Sequence, residues 1–223
     1  MASPPVPTGN PTLDQVLGGG LEPGVITQFF GEPASGKSSI CVMIAVEVLK
    51  GGRGVAFLDT EGFSVERFRQ IAGTDAEKLA ENFYLFEPAD FDQQAVMIGS
   101  IDGLLRSHDI GVIIVDSATG LYRTHLEKGK EAMQKLTRQM LQLLGYAKRF
   151  RIPVIISNQV YMDTRRDQYF GLGGTALEHI SKVIVRTERR NSHRRAVLVK
   201  HRSRPAGASF EFDIVETGMR TRE

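Results

Sequence analysis

The stretch VITQFFGEPASGKS, residues 25–38, joins an apolar run to a glycine-rich turn. Val25–Phe30 has the composition of a buried strand, and the turn from Gly31 to Ser38 follows the pattern Gly-x-x-x-x-Gly-Lys-Ser. Glycines in such a turn let backbone N–H groups point inward, and the helix that follows presents its positive end to an anion. The pattern therefore predicts a phosphate-binding loop between a strand and a helix.

The chemistry of a nucleoside triphosphate assigns roles within this loop. Lys37 can reach the β- and γ-phosphates, and the hydroxyl of Ser38 can bind Mg²⁺. The predicted ligands are therefore ATP and Mg²⁺. The residues expected to surround the phosphates are Gly31, Glu32, Pro33, Ala34, Ser35, Gly36, Lys37, Ser38 and Ser39.

Two further strand ends place carboxylates near the expected site. The apolar run Val112–Val115 ends at Asp116, and another run leads into the segment DTEG, residues 59–62. Open parallel sheets bind ligands beyond the carboxyl ends of their strands. Asp116 is therefore predicted to bind Mg²⁺ together with Ser38. Glu61 is a candidate to deprotonate the attacking water, with a loop acid that caps a helix start as an equal alternative.

The rest of the chain alternates apolar runs with helical patterns. Runs without polar alternation indicate strands covered on both faces. The alternation predicts one α/β domain with a mostly parallel twisted sheet flanked by helices, and a mixed or antiparallel edge near the C-terminus. The predicted strands are Val25–Phe30, Val55–Leu58, Phe83–Phe86, Val112–Val115, Val154–Ser157, Val183–Arg186, Val197–Val199 and Phe210–Ile214, and the predicted helices are Ser38–Lys50, Asp92–Arg106 and Glu131–Arg149.

Composition restricts the possible classes of protein. The chain has 223 residues, of which 41% are hydrophobic and 24% charged, as expected for one globular domain and not for a disordered chain. The proline-rich residues 1–7 are predicted to form a loose tail, and residues 8–223 a single domain. No apolar run has the length of a transmembrane helix, so a cytoplasmic protein with no membrane partner is expected.

Positive charge is concentrated near the C-terminus, although the net charge is only +2. Between residues 182 and 204, Glu188 is the one acid among many arginines and lysines, which is typical of a nucleic-acid-binding face. A solvated hairpin tip is the alternative. The segment Tyr161–Leu177 adds aromatic and arginine side chains, which can stack on single-stranded DNA, although Phe170 also fits a core position. The predicted DNA contacts are Arg165, Arg166, Tyr169, Phe170, Arg189, Arg190, Arg194 and Arg195.

The order of these motifs resembles that of the RecA/RadA recombinases over nearly the whole chain. The matching segments include TGNPTLDQVLGGG at residues 8–20 and SNQV at residues 157–160. The resemblance implies a RecA-type P-loop fold and assigns the catalytic carboxylate to Glu61. It also implies that Gln159 senses the γ-phosphate and couples it to the DNA-binding loop that follows. Arg67 falls at the place of an adenine-side contact.

Two departures from the recombinase pattern affect the expected function. Residues 1–11 contain neither an additional helical domain nor the Phe-x-x-Ala element that docks neighbouring recombinase subunits, so filament formation and strand exchange are left open. Lys200-His201-Arg202 stands where recombinases have an acidic segment that caps the nucleotide. Lys200 and Arg202 are candidate catalytic cations that reach a neighbour's γ-phosphate, and extension of the DNA-binding face is an equal alternative.

These features predict an ATP-binding, DNA-binding accessory protein of homologous recombination and repair, with weak or conditional ATP hydrolysis. The expected partners are single-stranded DNA and a RadA recombinase. Whether the protein associates with itself, for example as a dimer, is left open. Two alternatives are an active, filament-forming strand-exchange recombinase and a RecA-like regulatory ATPase without a DNA role.

Overall fold

The computed structural model describes residues 3–163 and 168–222. Its central element is one large β-sheet. In chain order its helices are α1 (Pro11–Leu17), α2 (Lys37–Lys50), α3 (Val65–Ala72), α4 (Ala76–Ala80), α5 (Phe91–Ser107), α6 (Gly129–Phe150) and α7 (Gly174–Ile180), with 3-10 turns at Gly73–Asp75 and Tyr122–Lys128. The strands are β1 (Ile26–Gly31), β2 (Gly54–Asp59), β3 (Phe83–Phe86), β4 (Ile110–Asp116), β5 (Val154–Asn158), β6 (Val160–Asp163), β7 (Gln168–Gly171), β8 (Val183–Arg189), β9 (Arg194–His201), β10 (Ser209–Val215) and β11 (Gly218–Thr221).

The sheet has the strand order β11-β10-β9-β8-β1-β5-β4-β2-β3. Neighbouring strands from β8 to β3 in this order pair in parallel, and the pairs β8–β9, β9–β10 and β10–β11 are antiparallel. Parallel neighbours need long crossover connections, whereas short turns suffice between antiparallel ones. The arrangement confirms the predicted α/β fold with an antiparallel C-terminal edge. Strands β6 and β7 form a separate hairpin.

Both faces of the sheet are covered by apolar clusters. Val55 and Phe57 of β2 belong to a core that includes α2, whereas Ala56 and Leu58 belong to a second core that includes α5 and α6. Successive side chains of a strand point to opposite faces, so a strand buried on both sides needs apolar residues throughout. This requirement explains the uninterrupted apolar runs in the sequence. Among the described residues, no helix combines the length and apolar character required to cross a membrane.

The structure differs from the sequence-based expectation near the N-terminus. Val6 and Leu21 exchange two backbone hydrogen bonds of 2.9 and 2.7 Å, and Thr8 is fully buried. The prediction of a loose tail over residues 1–7 therefore does not hold at Val6, because this bridge pairs its backbone. The unpredicted helix α1 begins after Asn10, whose side chain accepts a hydrogen bond from the N–H of Leu13.

Candidate nucleotide-binding site

The loop after β1 has the backbone expected of a phosphate-binding turn. Ala34 and Gly36 have φ angles of 61° and 100°, in the left-handed region that favours glycine at the second position. Gly36 precedes the first residue of α2, so the free N–H groups of that helix face the loop. The strand, loop and helix therefore follow one another as the sequence pattern predicts.

Lys37 folds back over this loop. Its Nζ donates hydrogen bonds to the carbonyl oxygens of Gly31 and Glu32, at 2.8 and 3.0 Å. Burial lowers the pKa of Lys37, while the nearby carboxylates of Glu61 and Asp116 act in the opposite direction. A cation held by loop carbonyls can transfer its hydrogen bonds to phosphate oxygens when these enter the loop.

Asp116 lies at the end of β4, with 3% of its surface exposed. Its carboxylate accepts hydrogen bonds from the hydroxyls of Ser157 and Ser38. Burial raises the pKa of Asp116, and the two hydroxyl donors oppose this shift. Ser38 and Asp116 are therefore in direct contact, and their oxygens are ligands of the kind that Mg²⁺ prefers. Ser157, to which sequence reasoning gave no role of its own, orients the carboxylate.

Glu61 stands beside this pair and has two donors of its own. Its Oε1 accepts hydrogen bonds from Ser117 Oγ at 2.7 Å and from Gln159 Nε2 at 2.6 Å. The cap of the following helix α3 is Ser64, whose side chain accepts from the N–H of Arg67. Glu61 is therefore not the acid that caps this helix start, and its carboxylate remains directed to the site.

Asp59 is a further acid that sequence reasoning left without a role. Its Oδ2 accepts a hydrogen bond of 2.7 Å from the N–H of Gly62, which fixes the turn that carries Glu61. Burial raises the pKa of Asp59 to about 6. The signal was present in the segment DTEG, but spacing alone does not distinguish an acid that holds a turn from one that reacts.

Ser38, Glu61 and Asp116 line a shared cavity of about 200 Å³. Asp59 and Arg67 lie on its wall, and the Arg67 guanidinium donates to the carbonyl oxygens of Glu216 and Gly218, at 3.3 and 3.0 Å. The side chain predicted to lie near adenine thus connects α3 to the β10–β11 turn. The remaining lining residues include Ser38, Ser39, Glu61 and Asp116.

Gln159 joins this cavity to the β6–β7 hairpin. Its side chain donates to Glu61, and its backbone carbonyl accepts a hydrogen bond of 2.8 Å from the N–H of Leu172, the residue that follows β7 at the base of the hairpin. Arg165 and Arg166, as well as the side chain of Tyr169, lie outside the described residues. The ring of Phe170 packs against Tyr161 with a centroid distance of 6.0 Å.

The arginines at the β8–β9 turn lie against the phosphate loop. The N–H of Arg189 donates to Glu32 Oε1 at 2.8 Å, and Arg194 Nε lies 3.4 Å from the carbonyl oxygen of Ala34. The hairpin is therefore in contact with the loop and is not simply a solvated tip. Two further arginines have nearby partners: Arg190 pairs with Glu188, and Arg195 donates to Ser209.

Lys200 and Arg202 have partners outside the cavity that holds Glu61. Lys200 Nζ donates to the carbonyl oxygens of Glu178 and Ser181 at the end of α7, the latter at 2.9 Å. Burial lowers the pKa of Lys200. Arg202 forms an ion pair with Glu22. Neither cation lines the cavity of its own chain as the described residues define it.

Several known proteins are similar to this chain over nearly its whole length. The family model described as Rad51 matches residues 5–221. The chain is similar to DNA repair and recombination protein RadB from Methanoculleus marisnigri, with 57% identity over 97% of both chains, and to RadB from Archaeoglobus fulgidus, with 40% identity over 96% of this chain and 97% of the relative. A crystal structure of the RadB recombinase superposes with a TM-score of 0.85 at 38% identity, covering 98% of this chain and all of the other. The chain therefore belongs to the Rad51 family, in its RadB branch.

Proposed function

We propose that the chain is an ATP- and DNA-binding accessory protein of recombination and repair that modulates a RadA recombinase and hydrolyses ATP slowly or conditionally. The meeting of Ser38, Asp116 and Glu61 at one cavity, directly after the phosphate loop, carries the proposal. The RadB relatives are named DNA repair and recombination proteins, which supports a role in these processes.

ATP binding follows from the loop and the first turn of α2. Inward backbone N–H groups between Gly31 and Gly36, together with the helix N-terminus, hold the β-phosphate. Lys37 then exchanges its two carbonyl partners for β- and γ-phosphate oxygens. Ser38 and Asp116 would hold Mg²⁺, which neutralises the charge that develops on the phosphates.

In ATP hydrolysis, Glu61 is the residue that acts on the attacking water. Both of its described side-chain donors, Ser117 and Gln159, bind Oε1, which would leave Oε2 to accept the proton of the attacking water. Oε2 accepts the proton as the water oxygen bonds to the γ-phosphorus, and the β–γ bridging oxygen leaves with ADP. Gln159 also accepts a backbone hydrogen bond at the base of the β6–β7 hairpin. A ligand that binds this hairpin can therefore move the Gln159 side chain relative to Glu61. This contact suits hydrolysis that depends on DNA or on a partner.

The test is two binding titrations and an ATPase assay on the same preparation. We expect MgATP to bind, single-stranded DNA to bind with a strong dependence on salt, and addition of RadA to change the ATPase rate. Failure to bind MgATP would contradict the nucleotide role. ATP binding without salt-dependent DNA binding would favour a regulatory ATPase instead. ATP-dependent filaments on DNA, detected by size, would favour an active recombinase, the word used for the solved relative.

We predict that the double variant Arg165→Ala, Arg166→Ala has a flatter salt dependence of single-strand binding. Each lost phosphate contact lowers the slope of log K against log salt by about 0.7, so two contacts lower it by about 1.4. A matched control is Arg106→Ala, Arg149→Ala, which removes the same charge from exposed arginines paired with Asp102. The same slope in both double variants would mean that Arg165 and Arg166 do not contact DNA.

We predict that Lys200→Ala, Arg202→Ala loses the part of the ATPase that depends on protein concentration and on RadA. The reason is that cations supplied from a neighbouring subunit stabilise the charge on the transferred phosphoryl group, a contribution of about 10³–10⁵ in kcat for known arginine fingers. The measurement is ATPase rate against protein concentration, with DNA affinity recorded in parallel. Lys148→Ala, Arg138→Ala removes the same charge from exposed sites on α6 and serves as the control.

The alternative gives the opposite pair of results. If Lys200 and Arg202 extend the DNA-binding face, DNA affinity falls and the ATPase keeps its dependence on concentration. The hydrogen bonds from Lys200 to the end of α7 are compatible with that outcome, since α7 follows the β6–β7 hairpin.

A further inference from the structure

A pair of buried hydroxyl groups joins the phosphate loop to β8. Ser35 Oγ and Thr187 Oγ1 lie 2.7 Å apart, and the two residues are 0% and 1% exposed. Thr187 Oγ1 also lies 3.3 Å from the carbonyl oxygen of Phe30, and either hydroxyl can be the donor in the shorter Ser35–Thr187 hydrogen bond. Each hydroxyl group is therefore held in place without access to water.

The backbone around this pair approaches unusually closely. Gly31 is the register partner of Thr187 in the β1–β8 pairing. A Cβ atom at Gly31 would lie 2.0 Å from the Thr187 carbonyl oxygen and 3.0 Å from Ser35 Oγ. The first glycine of the loop thus packs directly on β8. Its missing side chain allows the Thr187 hydroxyl to reach across to the loop.

We propose that Thr187 is a positioning residue for ATP: its hydroxyl fixes Ser35 and so holds the loop N–H groups in the geometry that binds the β-phosphate. The proposal rests on the proposed nucleotide function. Thr187 does not itself contact the nucleotide. A loop whose amides are already oriented binds phosphate without an ordering cost, because the hydrogen bond to Thr187 has restricted it beforehand.

A second contact between the same two elements supports this role. Glu32, next to the first glycine of the loop, accepts a hydrogen bond from the N–H of Arg189, two residues after Thr187 along β8. The end of β8 therefore holds the loop at Glu32 and at Ser35. The Thr187 contact is the buried one, so its loss is not compensated by water.

The test is Thr187→Val, which keeps the shape of the side chain and removes the hydroxyl. We expect the KM and the dissociation constant for MgATP to rise by about tenfold, equivalent to about 1.4 kcal/mol, while kcat changes by less than about twofold. The loop binds the β-phosphate equally in the ground state and the transition state, so its disorder weakens binding without slowing the chemical step. A merely structural loss would lower the amount of active protein and leave KM unchanged.

The matched control is Thr27→Val in the neighbouring strand β1. Thr27 is also buried, but its hydroxyl has no hydrogen-bond partner among the described residues, so its removal should leave MgATP affinity unchanged. Thr187→Ser should restore most of the affinity because it restores the hydroxyl. Ser35→Ala should weaken binding as Thr187→Val does, and the double variant should be no weaker than either single variant.

Each outcome separates the two hypotheses. If the unmodified protein binds no MgATP, the proposed function fails, and the positioning role fails with it. If the unmodified protein binds MgATP and Thr187→Val binds it as well as Thr27→Val does, the positioning role alone is refuted. Additive effects of Ser35→Ala and Thr187→Val would also refute it, since two residues that act through one hydrogen bond are not independent. Should Thr187→Val fail to fold, Ser35→Ala with Thr187→Ser provides the same comparison.

Discussion

Glu61→Gln is expected to hydrolyse ATP about 10²–10⁴-fold more slowly than the unmodified protein while it keeps its affinity for MgATP. Glutamine preserves the shape of the side chain and can still lie between Ser117 and Gln159, but it cannot accept the proton from the attacking water. Binding depends on the phosphate loop and on Lys37, which this substitution leaves intact. The measurement is single-turnover hydrolysis alongside direct titration of MgATP.

Two comparisons make this result specific. Lys37→Ala should lose MgATP binding itself, because it removes the cation that the loop directs toward the phosphates. Glu77→Gln, at an exposed carboxylate on α4, should change neither binding nor hydrolysis. If Glu61→Gln hydrolyses ATP within a factor of two of the unmodified protein, Glu61 is not the general base.

The parts of the site that the sequence predicts are those built from neighbouring residues. The loop from Gly31 to Ser38 combines a strand, a turn and a helix start, and each has a local signature. Strand ends such as Asp116 are predictable because an apolar run stops at a carboxylate. The carboxyl ends of parallel strands share one edge of a sheet, so these residues meet without any knowledge of distances.

The parts that the sequence does not predict depend on register between distant strands. Ser35 and Thr187 are 152 residues apart, and their contact requires that Gly31 pair with Thr187. A shift of one residue would turn the threonine to the other face of the sheet. Hydroxyl residues are common, so composition gives no reason to single out Thr187. Two further hydroxyl donors, Ser157 to Asp116 and Ser117 to Glu61, received no role from the sequence because hydroxyl residues are common, whereas the donors Ser38 and Gln159 were predicted site residues.

Gly31→Ala is expected to destabilise the fold and to abolish measurable MgATP binding. The added Cβ would lie 2.0 Å from the Thr187 carbonyl oxygen and 2.6 Å from its Oγ1, both firmly held in β8. Either β1 separates from β8 or the loop moves away from the helix N-terminus, and both changes misplace the phosphate site. Overpacking a rigid site costs about 3 kcal/mol at the upper end of its usual range. For a chain of this length that corresponds to a fall in Tm of about 6–12 °C.

Gly103→Ala is the control that separates this contact from the general effect of adding a methyl group. Gly103 lies within α5, its φ is outside the left-handed region, and, apart from its chain neighbours and the backbone of its own helix, no atom of the described residues lies within 4 Å of the position of an added Cβ. Alanine there should stabilise the helix by about 0.5–1 kcal/mol and leave MgATP binding unchanged. Thermal unfolding without nucleotide and titration of MgATP measure both variants. If Gly31→Ala unfolds at the same temperature as the unmodified protein and binds MgATP normally, the loop does not depend on its contact with β8. That result would show that the close contact between Gly31 and Thr187 does not position the phosphate site.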